Sequence, residues 1–240
     1  MARDLALLDL ASERGVGFVR TYAWEPYALS FGANEPAAKR YDRDEIKRRG
    51  LAVVRRPTGG RAVWHAEELT YSVAAPEGCF GSLAESYRVI HEVLQAALAS
   101  LGSSFTLAGR PASTAQLDAG ACFASPAGGE VISELGKVVG SAQLRERGAF
   151  LQHGSILLGN RQELVAELTR GDAPAPGAAS LRDVLGRDVG PAEVAASVQR
   201  SFQDRVGQLS TLDSPLSIAL ETRTAMHRPR FLDEAWTWRR

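Results

Sequence analysis

Apolar residues recur at three- and four-residue steps near the N-terminus, where LALLDLAS sets Leu5, Leu8 and Ala11 on one side until Gly15 and Gly17 interrupt the pattern. That period predicts a short amphipathic helix. GFVRTYAW and YALSFGANEP then read as extended segments punctuated by Pro26, Gly32 and Pro36, and YDRDEIKRRG as a charged helix ending at Gly50. LAVVRR is a short apolar run, and LTYSVAAP alternates with Leu69, Tyr71 and Val73 inward, so PTGGRAVWHAEE is expected to connect two strands. The most regular stretch is SLAESYRVIHEVLQAALASLG. Ser82 and Glu85 form a capping box there, and an apolar stripe runs from Val89 through Leu101 to a stop at Gly102.

From 130 to 158 the period becomes that of strands, with EVISEL, KVVGSAQLRE and AFLQHGSILL reversing at Gly136 and at Arg147-Gly148. Two reversals predict an antiparallel meander. GDAPAPGAAS, residues 171–180, is a Pro/Ala/Gly loop before two more helical stretches, PAEVAASVQRSFQDRV and SIALETRTAMH. Strands, one long helix, a meander and terminal helices predict an α+β fold with a mixed, largely antiparallel β-sheet flanked by helices, in a single domain over residues 1–240.

Composition narrows the function classes. Lys plus Arg, 28, cancels Asp plus Glu, 28, so no global field draws the chain to nucleic acid or to a membrane surface. No apolar run approaches the roughly 20 residues of a membrane helix, and MARDLALLDLASERG has no signal-peptide core, so a cytoplasmic protein is expected. The only local charge excess is KRYDRDEIKRRG, which reads as a solvated helix face or a docking patch at Lys47, Arg48 and Arg49. Cys79 and Cys122 lack the paired spacing of a disulfide framework or a zinc site.

Candidate chemistry concentrates in few places. HAEE, 65–68, contains the H-x-E of zinc deaminases without their downstream P-C-x-x-C, so no metal is expected. RRPTGGRAVWH places Gly59 and Gly60 between Arg56 and Arg61, which suits either a backbone nest for an anion or a tight turn. His153, followed by Gly154 inside an apolar strand, fits a satisfied core residue or a site-lining one. His91, beside the stripe of the long helix, and Cys79 read as structural. On its own, Cys122 reads as a buried structural thiol.

Taken in order, R-R-P-T-G-G-R-A-V-W-H with E-L-T-Y-S-V, then G-K-V-V-G-S-A-Q and L-Q-H-G-S-I-L-L, resemble the lipoate-protein ligase and octanoyltransferase family over about residues 24–160. The resemblance implies the mixed sheet shared with biotin ligases. It also implies an acyl pocket lined by Arg56, Thr58, Gly59, Gly60, His65, Lys137, Gly140, Ser141 and His153, with Lys137 at the acyl carbonyl or carboxylate. Cys122-Phe123-x-x-Pro126 looks like the motif of the cysteine-dependent octanoyltransferases, which makes Cys122 and Lys137 the implied catalytic pair. Transfer from octanoyl-acyl carrier protein to a lysine of a lipoyl domain, on glycine-cleavage H protein or a 2-oxoacid dehydrogenase subunit, would then need no cofactor. The alternatives are an ATP- and Mg-dependent lipoate ligase, in which Cys122 is inert, and a non-catalytic relative that binds lipoyl domains or acyl groups. Where the family often has Gln after S-x-G, this chain has Glu35.

Overall fold

The computed structural model describes residues 1–109, 123, 128–159, 162–171 and 177–239. Helix α1 (Ala2–Arg14) ends where Gly15, at φ 67°, donates its N–H to the Ala11 carbonyl. Strands β1 (Phe18–Tyr22) and β2 (Ala28–Phe31) lead to two short helices, α2 (Ala37–Arg40) and α3 (Arg43–Arg48). Strands β3 (Ala52–Arg55), β4 (Val63–His65) and β5 (Glu68–Pro76) precede α4 (Leu83–Ala99), which the expected Ser82–Glu85 capping box opens. Short β6 (Thr106–Leu107) and β7 (Val131–Ser133) are followed by β8 (Gly136–Lys137), β9 (Val139–Glu146) and β10 (Ala149–Leu157). Five helices complete the chain: α5 (Glu163–Glu167), α6 (Leu181–Leu185), α7 (Pro191–Val206), α8 (Ser214–Leu232) and α9 (Glu234–Thr237).

The strands form three small sheets. One is antiparallel in the order β1-β5-β10-β9, a second has the order β3-β2-β4 with β2 and β3 parallel, and a third is β6-β7-β8. β5 alternates as its sequence predicts: Leu69, Tyr71, Val73 and Ala75 join the core under α4 and α7, while Ala74 joins the core under α1. Helices cover both faces, so the strand is buried on both sides. Each large apolar side chain buried in this way contributes roughly 1.5–3 kcal/mol.

The meander is divided between two sheets. β9 and β10 pair through Arg147 and Gly148, both at positive φ, whereas the β7–β8 hairpin belongs to the third sheet and is tied to its neighbours through Val138. PTGGRAVWHAEE is also more than a connection, because Val63–His65 forms β4 and pairs with β2. Helix α8 continues through Pro229 to Leu232, beyond the predicted stretch that ended at His227.

Two buried groups brace the chain around the site. Arg55 sends its guanidinium to the carbonyls of Gly32, Ala33 and Glu35 and to those of Trp236, Thr237 and Arg239, holding the C-terminal segment against the 32–35 loop. Glu35 accepts from the Tyr41 hydroxyl at 2.6 Å and from the Gly32 N–H at 3.2 Å, so in this chain it locks the same loop from within.

Candidate active site

The glycine loop after β3 is shaped by what lies on either side of it. A Cβ on Gly32 would fall 1.8 Å from the Gly60 carbonyl oxygen, and Gly60 itself sits at φ 90°, so both positions exclude other residues. Arg56 fills the inside of the turn, donating to the Gly59 carbonyl at 3.0 Å and the Arg61 carbonyl at 2.5 Å. Its other amino group reaches the Ser30 hydroxyl at 2.9 Å.

Two histidines hang from this frame in the same chemical order. On β10, His153 donates from Nδ1 to Asp4 of α1 at 3.3 Å, which leaves Nε2 to accept from the Thr58 hydroxyl at 2.6 Å. Asp4 also binds Arg20 at 3.0 Å and Tyr22 at 3.1 Å. On β4, His65 donates from Nδ1 to Glu68 at 2.8 Å and accepts at Nε2 from the Ser30 hydroxyl at 2.7 Å. Its ring stacks on Trp24 with centroids 4.3 Å apart. Burial holds the His153 imidazolium back, lowering its pKa against the opposing pull of Asp4, so the ring stays neutral and keeps an acceptor for Thr58. Arg56, His65 and His153 bound a small cleft with Val63, Thr70 and Gly140.

Lys137 is linked to Gly140 through the Phe123 ring that both approach. Its ammonium pairs with Glu130 at 2.7 Å, and both side chains are only 2% exposed. The ammonium also stands 5.0 Å from the centre of the Phe123 ring. Phe123 in turn seats so closely on Gly140 that a Cβ there would meet the ring at 2.7 Å. Glu130 uses its second oxygen to accept from the Ser141 N–H at 3.3 Å and the Tyr87 hydroxyl at 3.4 Å. A buried, fixed ammonium of this kind can stabilise an anionic oxygen that reaches it.

A family model described as the lipoyl protein ligase A/B catalytic domain matches residues 1–203. The chain belongs to this family. Among its relatives, the octanoyltransferase LipM of Kyrpidia tusciae is 38% identical over 261 residues, an alignment covering all of this chain and 94% of that protein. The octanoyltransferase LipM of Lysinibacillus sphaericus is 42% identical over 68% of this chain, which spans 62% of that relative. A crystal structure of lipoate-protein ligase A bound with ATP superposes with a TM-score of 0.78 at 20% identity, covering 99% of this chain and 92% of that one. Protein Ta0514 of T. acidophilum with bound lipoic acid gives 0.76 at 20% identity, covering 99% and 94%. These two structures share the fold of this family member, the α+β arrangement its sequence implies.

Of the residues expected at the site, Arg56, His65, Gly140, Ser141 and His153 line one cleft. Thr58 touches it through His153 and Gly59 through Arg56. Gly60 shapes the loop against Gly32, and Lys137 is not part of the lining but meets Gly140 through the Phe123 ring. Cys122 lies outside the described residues. Cys79 is an exposed free thiol in the Gly78–Gly81 turn. The docking patch is largely neutralised, since Arg48 and Arg49 pair with Glu45 and Arg49 also with Glu167. No sequence motif marks Asp4, Ser30 or Glu130, and Glu68 stands in HAEE without any sign of its role beside His65. For Glu130 a signal existed: with Lys137 opposite Ile132 in the hairpin, period-two alternation places Glu130 on the same face, diagonal to the lysine. Among the described residues no group of three or more His, Cys, Asp or Glu side chains could hold a metal ion, and no helix is long and apolar enough to cross a membrane.

Proposed function

We propose that this acyltransferase moves an octanoyl group from acyl carrier protein, through a thioester on Cys122, to the ε-amine of a lysine on a lipoyl domain. The observation that supports this most is the seating of Phe123. The residue that follows Cys122 packs against both the Lys137 ammonium and Gly140, which lines the cleft. Octanoyl transfer is also the activity named for the relatives that align over most of this chain.

The chemistry is balanced without a further reactant. The Cys122 thiolate attacks the carrier thioester, the carbonyl oxygen takes the negative charge, and Lys137 stabilises it while the carrier's thiolate leaves and takes up a proton. The acceptor amine, in its neutral form, then attacks the new thioester. A C–N bond forms, the C–S bond breaks, and the proton lost by the amine goes to the departing Cys122 sulfur. In this scheme the eight-carbon chain enters by the cleft between His65, Gly140 and His153, and Arg56 holds the glycine loop beside it. Cys122 replaces the nucleotide in this scheme, so neither ATP nor a metal takes part.

The test is to incubate the protein with octanoyl-acyl carrier protein and an apo lipoyl domain, with and without ATP. Equal octanoylation in both supports the proposal. Modification only with free lipoate or octanoate and ATP would instead identify a ligase. Within the transferase, Lys137→Ala should lower the rate about 10²–10³-fold, the usual effect of removing an oxyanion partner. Lys137→Arg should lose most activity too, because a planar guanidinium does not fit where a compact ammonium sits against Glu130 and Phe123.

A further inference from the structure

Helix α4 carries none of the motifs that point to acyl transfer, yet it presents two polar side chains to the Lys137 side of the site. His91 is fully buried. Its Nδ1 lies 2.8 Å from the Tyr87 carbonyl, which can only accept, so the proton is on Nδ1 and Nε2 carries a lone pair. The Ser141 hydroxyl, 2.8 Å away, must therefore donate to Nε2. Its single proton is thereby committed. The Tyr71 hydroxyl at 2.6 Å then donates to Ser141, Gln152 donates to Tyr71 at 2.9 Å, and Gln143 donates to Gln152 at 2.7 Å. All these protons point one way, from Gln143 on β9 to the helix carbonyl.

We propose that His91 is a positioning residue for acyl transfer, acting through Ser141 to fix the Glu130 carboxylate against Lys137. The inference rests on the acyl-transfer role given to Lys137 above. Ser141 is held in the β9–β10 ladder opposite Gly154, with its N–H directed at Glu130, and its side chain ties that strand position to His91 and Tyr71. The opposite oxygen of Glu130 holds the Lys137 ammonium. Tyr87, one turn before His91, adds its hydroxyl to the first oxygen, so an i, i+4 pair on one helix supports the carboxylate directly and through Ser141. Burial lowers the His91 pKa to about 4, which keeps the ring in its accepting form across neutral pH. A phenylalanine would fill the same space without accepting the serine proton. The tie between helix α4 and the Ser141 position of β9 would then be lost, loosening the seat of the Glu130 carboxylate that faces the lysine.

The test compares His91→Phe with Ser197→Ala. Ser197 gives up a buried hydrogen bond between α7 and the Ala97 carbonyl of the same helix α4, but has no link to Lys137. In octanoyl transfer, His91→Phe should lower kcat about ten- to a hundredfold with little change in KM, while Ser197→Ala leaves kcat unchanged at a similar loss of Tm. The double variant His91→Phe/Ser141→Ala should be no slower than the slower single variant, as expected for residues acting in series. His91→Gln, which can still accept, should recover part of the rate. A readout independent of turnover is labelling of the Lys137 peptide by acetic anhydride, read by mass spectrometry. Wild type and Ser197→Ala should be protected, and His91→Phe labelled several-fold faster. Absence of transfer by wild type would refute the acyl-transfer reading alone, since the labelling still reports on His91. Unchanged labelling, wild-type kcat or additive losses would overturn the role of His91.

Discussion

His65 and His153 line the same cleft and repeat the same order of hydroxyl, imidazole and carboxylate, but their carboxylates come from very different places. Glu68 is three residues from His65, one strand further on, so that relay is assembled as soon as β4 and β5 form. Asp4 is 149 residues from His153 and arrives only when α1 docks on the four-stranded sheet. The first relay is a local property of the chain, and the second is a product of tertiary packing. One side of the cleft therefore depends on the docking of α1, and the other does not.

The strongest way to break this contrast is Asp4→Ala. It strips a partner from His153, Arg20 and Tyr22 at once, and removing one side of a buried charged group typically costs 3–5 kcal/mol. Denaturant unfolding should show that loss, with α1 amides losing hydrogen-exchange protection first while His65 keeps its NMR environment. Loss of protection spread evenly over the molecule would mean that the two relays are not separable.

Acid should sharpen the contrast next. In the folded protein His91 titrates at about 4 and His153 below its ordinary range, both held down by burial, whereas in the unfolded chain histidine titrates near 6.5. Below about pH 6.5 the unfolded chain takes up protons that the folded one refuses. Stability is thus fully present above that value and falls as pH drops toward 4, with His91 alone contributing about 3 kcal/mol of the loss. His91→Phe should flatten that part of the curve in urea melts at fixed pH. A curve equally steep in this variant would show that His91 is not the group responsible.

Glu68→Gln should have a smaller effect. It keeps a carbonyl oxygen for the His65 Nδ1–H and removes only charge, so about 1–2 kcal/mol of stability is expected, with the fold intact by circular dichroism. A loss as large as that of Asp4→Ala would erase the difference between the relays. Cys79→Ala, at an exposed thiol remote from both, should change stability by no more than about 0.5 kcal/mol and leave transfer unaltered.

The same distinction explains what the sequence discloses. Helices α1, α4 and α7 follow from period and caps because those signals are local, as do the Arg147-Gly148 turn and the alternation of β5. Division of the strands among three sheets is not readable in that way, since β7–β8 and β9–β10 look alike until their non-local partners are known. The three-residue strand β4 is too short for a period to emerge. In the site, Arg56, the glycines, His65, Lys137, Ser141 and His153 stand within recognisable motifs. Asp4 and Ser30 do not, because each becomes functional only through a histidine on another element. His91 reads as core for the same reason: its environment marks it as buried, and only the fold brings Ser141 to its ring.

The central claim is a covalent octanoyl-enzyme on Cys122, and the most direct measurement is mass spectrometry of the protein after brief exposure to octanoyl-acyl carrier protein without an acceptor. The account predicts one octanoyl group on the peptide that contains Cys122, removed by hydroxylamine, discharged to an added apo lipoyl domain, and absent from Cys122→Ala, which should also have lost transfer. Full transfer by Cys122→Ala, or an adduct confined to Cys79, would contradict it.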